Sequence, residues 1–443
     1  MKSIKKINYV VALVITATIL MFTTSCKKET SNDPTLSNEA ISLSEASKKI
    51  FNPFGPSPWN MRSSGVSISD RGIIEMSTFG PSTCYGLMFD NLGITPLQDV
   101  SITHNGGATW RVQTIAELEN NYLYGVAATS PGIAHVIGYN YVNGGGNIVR
   151  TTDGGVSWNR EGADAYTNPG SFANAIQFFN PKDGVILGDP QNGYFENYTT
   201  SDGGNNWKRV PSQNIPPPQE NEFGTAYLTD TYNNTIWTVT LVPDADFNIL
   251  NARLFQSDDK GETWYVRNSS LPLANFDGTM KFRNSSVGLF KNNGVLYRTT
   301  DGGTTWNVVN YSGTWFSFDF DNIPGLPGWW ISTGGGYPTD DPRSVYGFGS
   351  SVSYDDGNHW VTLDTTVNHT NVDMTGPLHG YSGGITTGSG DDGVFVYSFL
   401  PSKLTSVVSA GSALTNNRKV NISKPSGKSF LPGNKFTALR HHK

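Results

Sequence analysis

The chain has 443 residues, a length that suits two or three domains or one large all-β unit. Only 15 % of the residues are charged, while Gly (49), Trp (11), Tyr (19) and Phe (23) are abundant, which favours short strands and tight turns over helices. Charge is unevenly divided: 402–443 holds eight Lys/Arg and no acid, whereas 26–401 holds 20 Lys/Arg against 37 Asp/Glu, a net of −17, and so acidic a body argues against nucleic acid as the ligand.

At the start, Lys2, Lys5 and Lys6 precede an apolar run over 9–22 and then TTSC, which ends at Cys26. A basic start, a short apolar core and small residues before a Cys is the layout of a secretory signal. It resembles the lipoprotein form, in which Cys26 becomes the lipidated first residue, although Thr23 stands where Leu is usual. An ordinary signal peptide or an uncleaved anchor is the alternative; the run is short for a membrane span, which needs ~20 apolar residues. We therefore expect a signal over 1–25 and a polar tether, opened by the lipidated Cys26, over 26–54. With Cys26 lipidated, Cys84 has no partner for a disulfide, and its setting in STCYGLMF reads as a buried, inert thiol.

The next feature is a repeat. RTTDGGVSW at 150–158 and RTTDGGTTW at 298–306 are nearly identical, and four more segments follow the same pattern: THNGGATW, TSDGGNNW, SDDKGETW and SYDDGNHW. The shared spelling is Ser/Thr-x-Asp-x-Gly-x-x-Trp, with Asn105, Asp153, Asp202, Asp259, Asp301 and Asp355 at the acid position and Trp110, Trp158, Trp207, Trp264, Trp306 and Trp360 at its end. The Trp spacings are 48, 49, 57, 42 and 54, a period that suits the blades of a β-propeller. The acid can accept hydrogen bonds from the N–H groups of the turn that follows it, and the Gly can take the left-handed backbone angle that a tight turn needs. The Trp offers a large apolar face for packing between blades.

These segments resemble the Asp-box, or BNR, repeat found in sialidases, some glucan hydrolases, sortilin-like receptors and the photosystem II assembly factor family. The resemblance covers about 55–400. It implies that each box is a hairpin corner between the third and fourth strands of a blade, on the face away from the ligand, with a structural rather than catalytic acid. The flanks agree: AIQFF, GVILGD and YFENYTTSDGGNNW read as first, second and third strands, as do TMKF, VGLFKNNG and VLYRTTDGGTTW.

After Trp360, VDM, YSGGITTG and GVFVYSFL supply three more strands without a fourth. The run Trp59–Ser63 reads as the missing one, closing the ring and removing its open edge. The expected fold is thus all-β, a seven-bladed propeller of four-stranded antiparallel blades over 55–401, with six blades as the alternative, and then a basic, disordered tail over 402–443. That tail can touch an anionic surface or fold back on the acidic body.

In such a ring, ligands meet the loops that enter the first strands and the loops between second and third strands. Aromatic and polar side chains at those entrances are Tyr124, Phe172, Phe223, Phe276, Trp315, Arg343 and His369, which either stack on a sugar or peptide or cap the core. Glu196, Glu222, Asp277 and Asp341 are the carboxylates a glycosidase would draw on, since that chemistry needs two of them ~5–9.5 Å apart. The sialidase carboxylate anchor, an Arg-Ile-Pro before the first box, is missing: Arg62 is followed by Ser63, Arg71 by Gly72, and Phe282-Arg283-Asn284 comes too late. The photosystem II assembly factor family matches best in rhythm, and its exported or lipid-anchored members bind protein partners. No metal site is expected, because no His pair except His441 and His442 has ligand-like spacing, and no cofactor motif is present. The reading is an exported, lipid-anchored, non-catalytic propeller that meets a protein or glycan outside the cytoplasm and touches the membrane only through its N-terminal lipid. A loop-carboxylate glycoside hydrolase is the alternative.

Overall fold

A computed structural model describes residues 57–93, 96–245, 248–272, 278–292, 294–335 and 347–398. They form seven antiparallel blades in chain order. In each, the first strand lies innermost and packs against the first strands of both neighbours, so the seven inner strands surround a central channel. Blade 1 runs Arg71–Phe79, Thr83–Asp90, Asp99–Thr103 and Arg111–Thr114, and blade 2 runs Asn121–Ser130, Ile133–Asn140, Gly146–Thr151 and Asn159–Glu161. The inner strands of blades 3 to 7 are Ala173–Phe178, Phe223–Tyr232, Thr279–Phe282, Asp319–Asn322 and Asn371–Gly376.

Blade 7 closes as expected. Its three C-terminal strands take Trp59–Ser63 as the fourth, with Trp59 opposite Tyr397 and Ser63 opposite Gly393. The Trp59 indole N–H donates to Ser350 Oγ of blade 6 at 2.8 Å, so the closing strand also grips the preceding blade. Two local departures from the four-strand pattern occur. Ser312–Gly313 adds a short parallel strand outside blade 6. In blade 3 the expected third strand is divided: Pro190–Gln191 pairs with Tyr194–Phe195 as a small hairpin, and the blade resumes at Tyr198–Thr200. The Asn197 side chain accepts from Gly188 N–H at 3.1 Å there, taking the place of a backbone partner.

The apolar interior follows from this layout. Seven buried clusters occur, one at each seam between adjacent blades. Tyr85, Leu87, Val100 and Ile102 of blade 1, for example, meet Leu123, Val126, Val136 and Trp158 of blade 2. The repeat Trp always joins the seam with the preceding blade, as Trp110, Trp264, Trp306 and Trp360 also show. Cys84 lies fully buried in the seam between blades 7 and 1, where burial raises its thiol pKa well above the ordinary value.

Each repeat forms the corner between third and fourth strands. The Ser/Thr hydroxyl accepts from the N–H of the conserved-position Gly at 2.7–3.0 Å in all six copies. One oxygen of the acid or amide accepts the N–H four residues on, at 2.8–3.0 Å. In the first copy Asn105 Oδ1 does this and its Nδ2 donates to Thr109 Oγ1, which is why an amide replaces the acid without loss of the turn. That Gly is left-handed throughout, as with Gly155 at φ 83° and Gly303 at φ 96°. A Cβ on Gly155 would also stand 2.4 Å from Ile102 of blade 1, so the position is restricted twice.

The Arg of RTTDGG has a further task, which explains why the longer spelling recurs. Arg150 of blade 2 donates to Asn205 Oδ1 in the next box at 2.5 Å. Arg298 of blade 5 donates to Asp356 O and Asn358 Oδ1 in the next box, both at 3.0 Å. The corners are joints between blades.

Candidate binding face and central channel

The corners and the turns between first and second strands lie on one face. Gly154 N–H, for instance, donates to Gly132 O at 2.9 Å and Gly302 N–H to Ser286 O at 2.8 Å. The other face carries the loops into the first strands and the loops between second and third strands.

On this loop face, the expected ligand residues lie mostly in the interior. Tyr124 and Phe172 are buried with ring centroids 4.7 Å apart. Trp315 is buried beside Trp360 at 6.3 Å, and Phe223 is half-buried. His369 is fully buried, with Nδ1 2.8 Å from Ser382 Oγ and Nε2 3.5 Å from Asp364 Oδ2. The Ser, His and Asp in a row invite comparison with a nucleophilic triad, but Ser382 is itself fully buried and donates to Gly383 O at 3.1 Å, so no substrate carbonyl can reach its oxygen. Phe276 and Arg343 lie outside the described residues.

The candidate carboxylates are similarly placed. Glu196 is buried and accepts from Ser171 Oγ at 2.5 Å and Tyr198 OH at 3.1 Å. Glu222 is buried, paired with Arg253 at 2.6 Å, and accepts from Gln219 N–H and Thr240 Oγ1. Both therefore have every oxygen engaged by the protein itself. Asp277 and Asp341 lie outside the described residues. Of the arginines, Arg71 pairs with Asp90 at 2.8 Å, and Arg283 pairs with Asp356 at 2.7 Å on the corner face. Among the described residues no three His, Cys, Asp or Glu side chains are placed to hold a metal ion.

Other side chains stand open on the loop face, among them the acids Asp164 and Glu220 and four large apolar groups. Ile68, Leu92, Tyr141 and Val142 are 59, 54, 39 and 62 % exposed, on the loops entering blade 1, between strands two and three of blade 1, and at the same point of blade 2. Hydrogen bonds tie these loops together: Asn91 N–H donates to Asp70 O, Gln98 Nε2 to Asn121 O, and Tyr141 N–H to Asn120 O.

Beneath this face, the channel holds a group of charges that the sequence reading did not isolate. The strand registers place Ser77, Ala127, Gln177, Asp230, Lys281, Asp321 and Asp373 at one level of the seven inner strands, with Glu75 and Asp319 one step toward the loop face. The acceptors among them bind the next blade's inner strand: Asp230 takes Phe282 N–H at 2.5 Å, Asp321 takes Met374 N–H at 2.8 Å, and Asp373 takes Thr78 N–H at 2.9 Å. Asp319 likewise takes Val372 N–H, and Ser77 Oγ takes Ala128 N–H.

Burial raises these carboxyls, Glu75 to about 8 and Asp230 to about 6, with Asp319, Asp321 and Asp373 also raised. Burial works against the Lys281 charge, but Asp321, Asp230, Asp319 and Asp373 outweigh it and raise its pKa. The signal in the sequence was a charged residue inside several of the apolar inner strands, as in TMKF and VDM.

The class of protein this defines is a seven-bladed β-propeller with a structural corner face, an opposed loop face and a charged channel. No family model and no curated protein matches the chain. Among solved structures, YCF48 from Cyanidioschyzon merolae is 16 % identical, with a TM-score of 0.50, over 78 % of this chain and 99 % of its own. YCF48 bound to a D1 peptide is 14 % identical, with a TM-score of 0.49, over 78 % of this chain and 98 % of its own. A Trypanosoma rangeli sialidase bound covalently to 2,3-difluorosialic acid is 13 % identical, with a TM-score of 0.42, over 81 % of this chain and 60 % of its own. At these identities the likeness is one of fold.

Proposed function

We propose that the protein is exported, anchored by lipid at Cys26, and acts as a non-catalytic binding ring that presents its loop face to a protein or glycan outside the cytoplasm. In this reading the six corners are Asp-box repeats with no part in recognition. The observation that carries it is the contrast on the loop face. Glu196 and Glu222 are internal and fully hydrogen-bonded, and the exposed acids Asp164 and Glu220 stand on the separate entrance loops of blades 3 and 4, while Ile68, Leu92, Tyr141 and Val142 stand exposed together on three linked loops. A binding protein uses exposed apolar side chains of this kind; a glycosidase needs accessible carboxylates facing one another.

Two experiments test it. A glycan array and a panel of chromogenic glycosides should give no turnover; turnover abolished by changing a loop acid, but not a corner acid, overturns the proposal in favour of a hydrolase. For the anchor, mass spectrometry of the mature protein should find an acylated Cys26 as its first residue, and an unmodified Cys26 or a different first residue refutes lipidation.

A further inference from the structure

The exposed apolar groups of the loop face sit on an arc longer than three loops. The loop 384–392, between the second and third strands of blade 7, lies against the entrance of blade 1: Asp70 N–H donates to Thr386 O at 2.9 Å and Thr386 N–H to Arg71 O at 2.8 Å. At the other end, the loop that carries Tyr141 and Val142 meets the entrance loop of blade 3, where Gly145 N–H donates to Pro169 O at 3.1 Å. Ile68, Leu92, Tyr141 and Val142 thus stand along one hydrogen-bonded arc from blade 7 to blade 3.

The free charges of this arc are mostly of one sign. Glu119, Asp164 and Asp391 are exposed, Asp70 and Glu117 are half-buried, and among the described residues none of the five lies in an ion pair. Arg71 is neutralised by Asp90. The exposed Arg160 donates to Asn147 Oδ1 and, at 2.6 Å, to Glu117 O, while Arg62, on the outer strand of blade 7, donates to Met61 O at 2.9 Å. No lysine occurs over 57–181. The apolar strip therefore lies inside an acidic rim, whose field draws in cations.

The apolar groups themselves distinguish polypeptide from sugar. Ile68, Leu92 and Val142 are aliphatic and offer no ring face to a pyranose. Tyr141 leans on Tyr122, with ring centroids 5.0 Å apart, and gives its hydroxyl to Asn120 Oδ1 at 3.2 Å. Apolar anchors within a charged rim suit a protein partner: the anchors hold it, and the rim selects and steers it.

We infer that the arc receives a protein segment whose apolar side chains are flanked by Lys and Arg. This rests on the loop-face reading above and narrows its partner from protein or glycan to a basic, apolar stretch of polypeptide.

The test selects binders of the full chain from a yeast-displayed library of random dodecapeptides. The recovered peptides are synthesised, and their kinetics are measured on the parent, a charge variant (Glu119→Gln, Asp164→Asn, Asp391→Asn) and an apolar variant (Leu92→Ser, Val142→Ser). All five positions are exposed, so both variants should melt with the parent. The recovered peptides should combine apolar side chains with Lys/Arg and lack Asp/Glu. They should associate about tenfold more slowly with the charge variant at low salt, with dissociation unchanged and the difference gone at high salt. From the apolar variant they should dissociate about tenfold faster.

Peptides with no excess of Lys/Arg, or equal association with parent and charge variant, overturn the basic partner; if the apolar variant still loosens them, the loop-face reading stands. Peptides that bind all three proteins alike lie off the arc and overturn the inference, as does a selection that yields no binder. A hit on the glycan array that the apolar variant loses makes the arc a sugar site, so the inference fails and the binding ring survives. Glycoside turnover that depends on a loop acid removes the loop-face reading itself.

Discussion

Asp373 of blade 7 accepts the backbone N–H of Thr78 in blade 1 at 2.9 Å, across 295 positions of sequence. The bond has the same form as Asp230 to Phe282 and Asp321 to Met374, so the inner seam between last and first blades is built like those between blades 4 and 5 and between blades 6 and 7. Lys281, at the same level, cannot make this bond, since an ammonium cannot accept. The N–H it would serve, that of Asn322, is taken instead by the side chain of Asp321 at 2.8 Å. Lys281 thus exchanges a strand-to-strand bond for a charge among Asp230, Asp319, Asp321 and Asp373. Lys281→Met should cost about 1–3 kcal/mol at neutral pH, as expected for removing the cation from a group of half-buried acids of which Asp321 is the buried one. Denaturant titration checks this; a loss below about 1 kcal/mol means that the channel acids do not depend on Lys281.

Glu75 gives a pH signature. Burial lifts its carboxyl from 4.5 to about 8, against the N–H of Val126 and the charge of Lys281. A raised acid favours the folded state fully below the unfolded pKa, and that contribution is lost as pH rises from about 4.5 through about 8. Glu75→Gln, which keeps an acceptor for Val126, should therefore melt higher than the parent at pH 8–9, with the gap closing toward pH 4.5. A gap that is constant with pH contradicts the raised pKa.

The corners can be probed without touching their exposed acids. Thr151 is fully buried and its Oγ1 accepts from Gly155 N–H at 2.7 Å while donating to Asp153 at 2.8 Å. Thr151→Val keeps the shape and removes both bonds, leaving a buried N–H unpaired at a cost of about 1–3 kcal/mol. Equilibrium unfolding should show this loss, with partner binding unchanged in the folded fraction; lost binding at full stability places recognition on the corners.

Ring closure depends on Trp59, which is buried, bonded to Ser350, and packed 4.8 Å from His369 and 5.1 Å from Tyr397. Trp59→Ala should cost about 3–5 kcal/mol and lower the melting temperature of the whole ring, because blade 7 loses its outer strand. An unchanged melting curve contradicts closure by strand exchange.

Much of this architecture was legible in the sequence because it repeats. Six corners at a blade-like period, and an orphan strand at Trp59–Ser63 facing three strands after Trp360, specify a ring before any coordinate is seen. The loop face was harder to read. Tyr124, Phe172 and His369 stand at strand entrances in the sequence, but whether an aromatic there faces outward or into a seam depends on the neighbouring blade, which sequence order does not reveal. The channel was missed for a related reason: Asp230, Lys281, Asp321 and Asp373 lie about fifty residues apart, and only strand register brings them to one level.

The most direct test of the two-faced ring is photo-crosslinking from single positions in the intact chain in its native envelope: Leu92 and Val142 on the loop face, and Val156, 65 % exposed, on the corner face. The account predicts a discrete protein or glycan adduct from Leu92 and Val142 and none from Val156. An adduct formed from Val156 alone would contradict it.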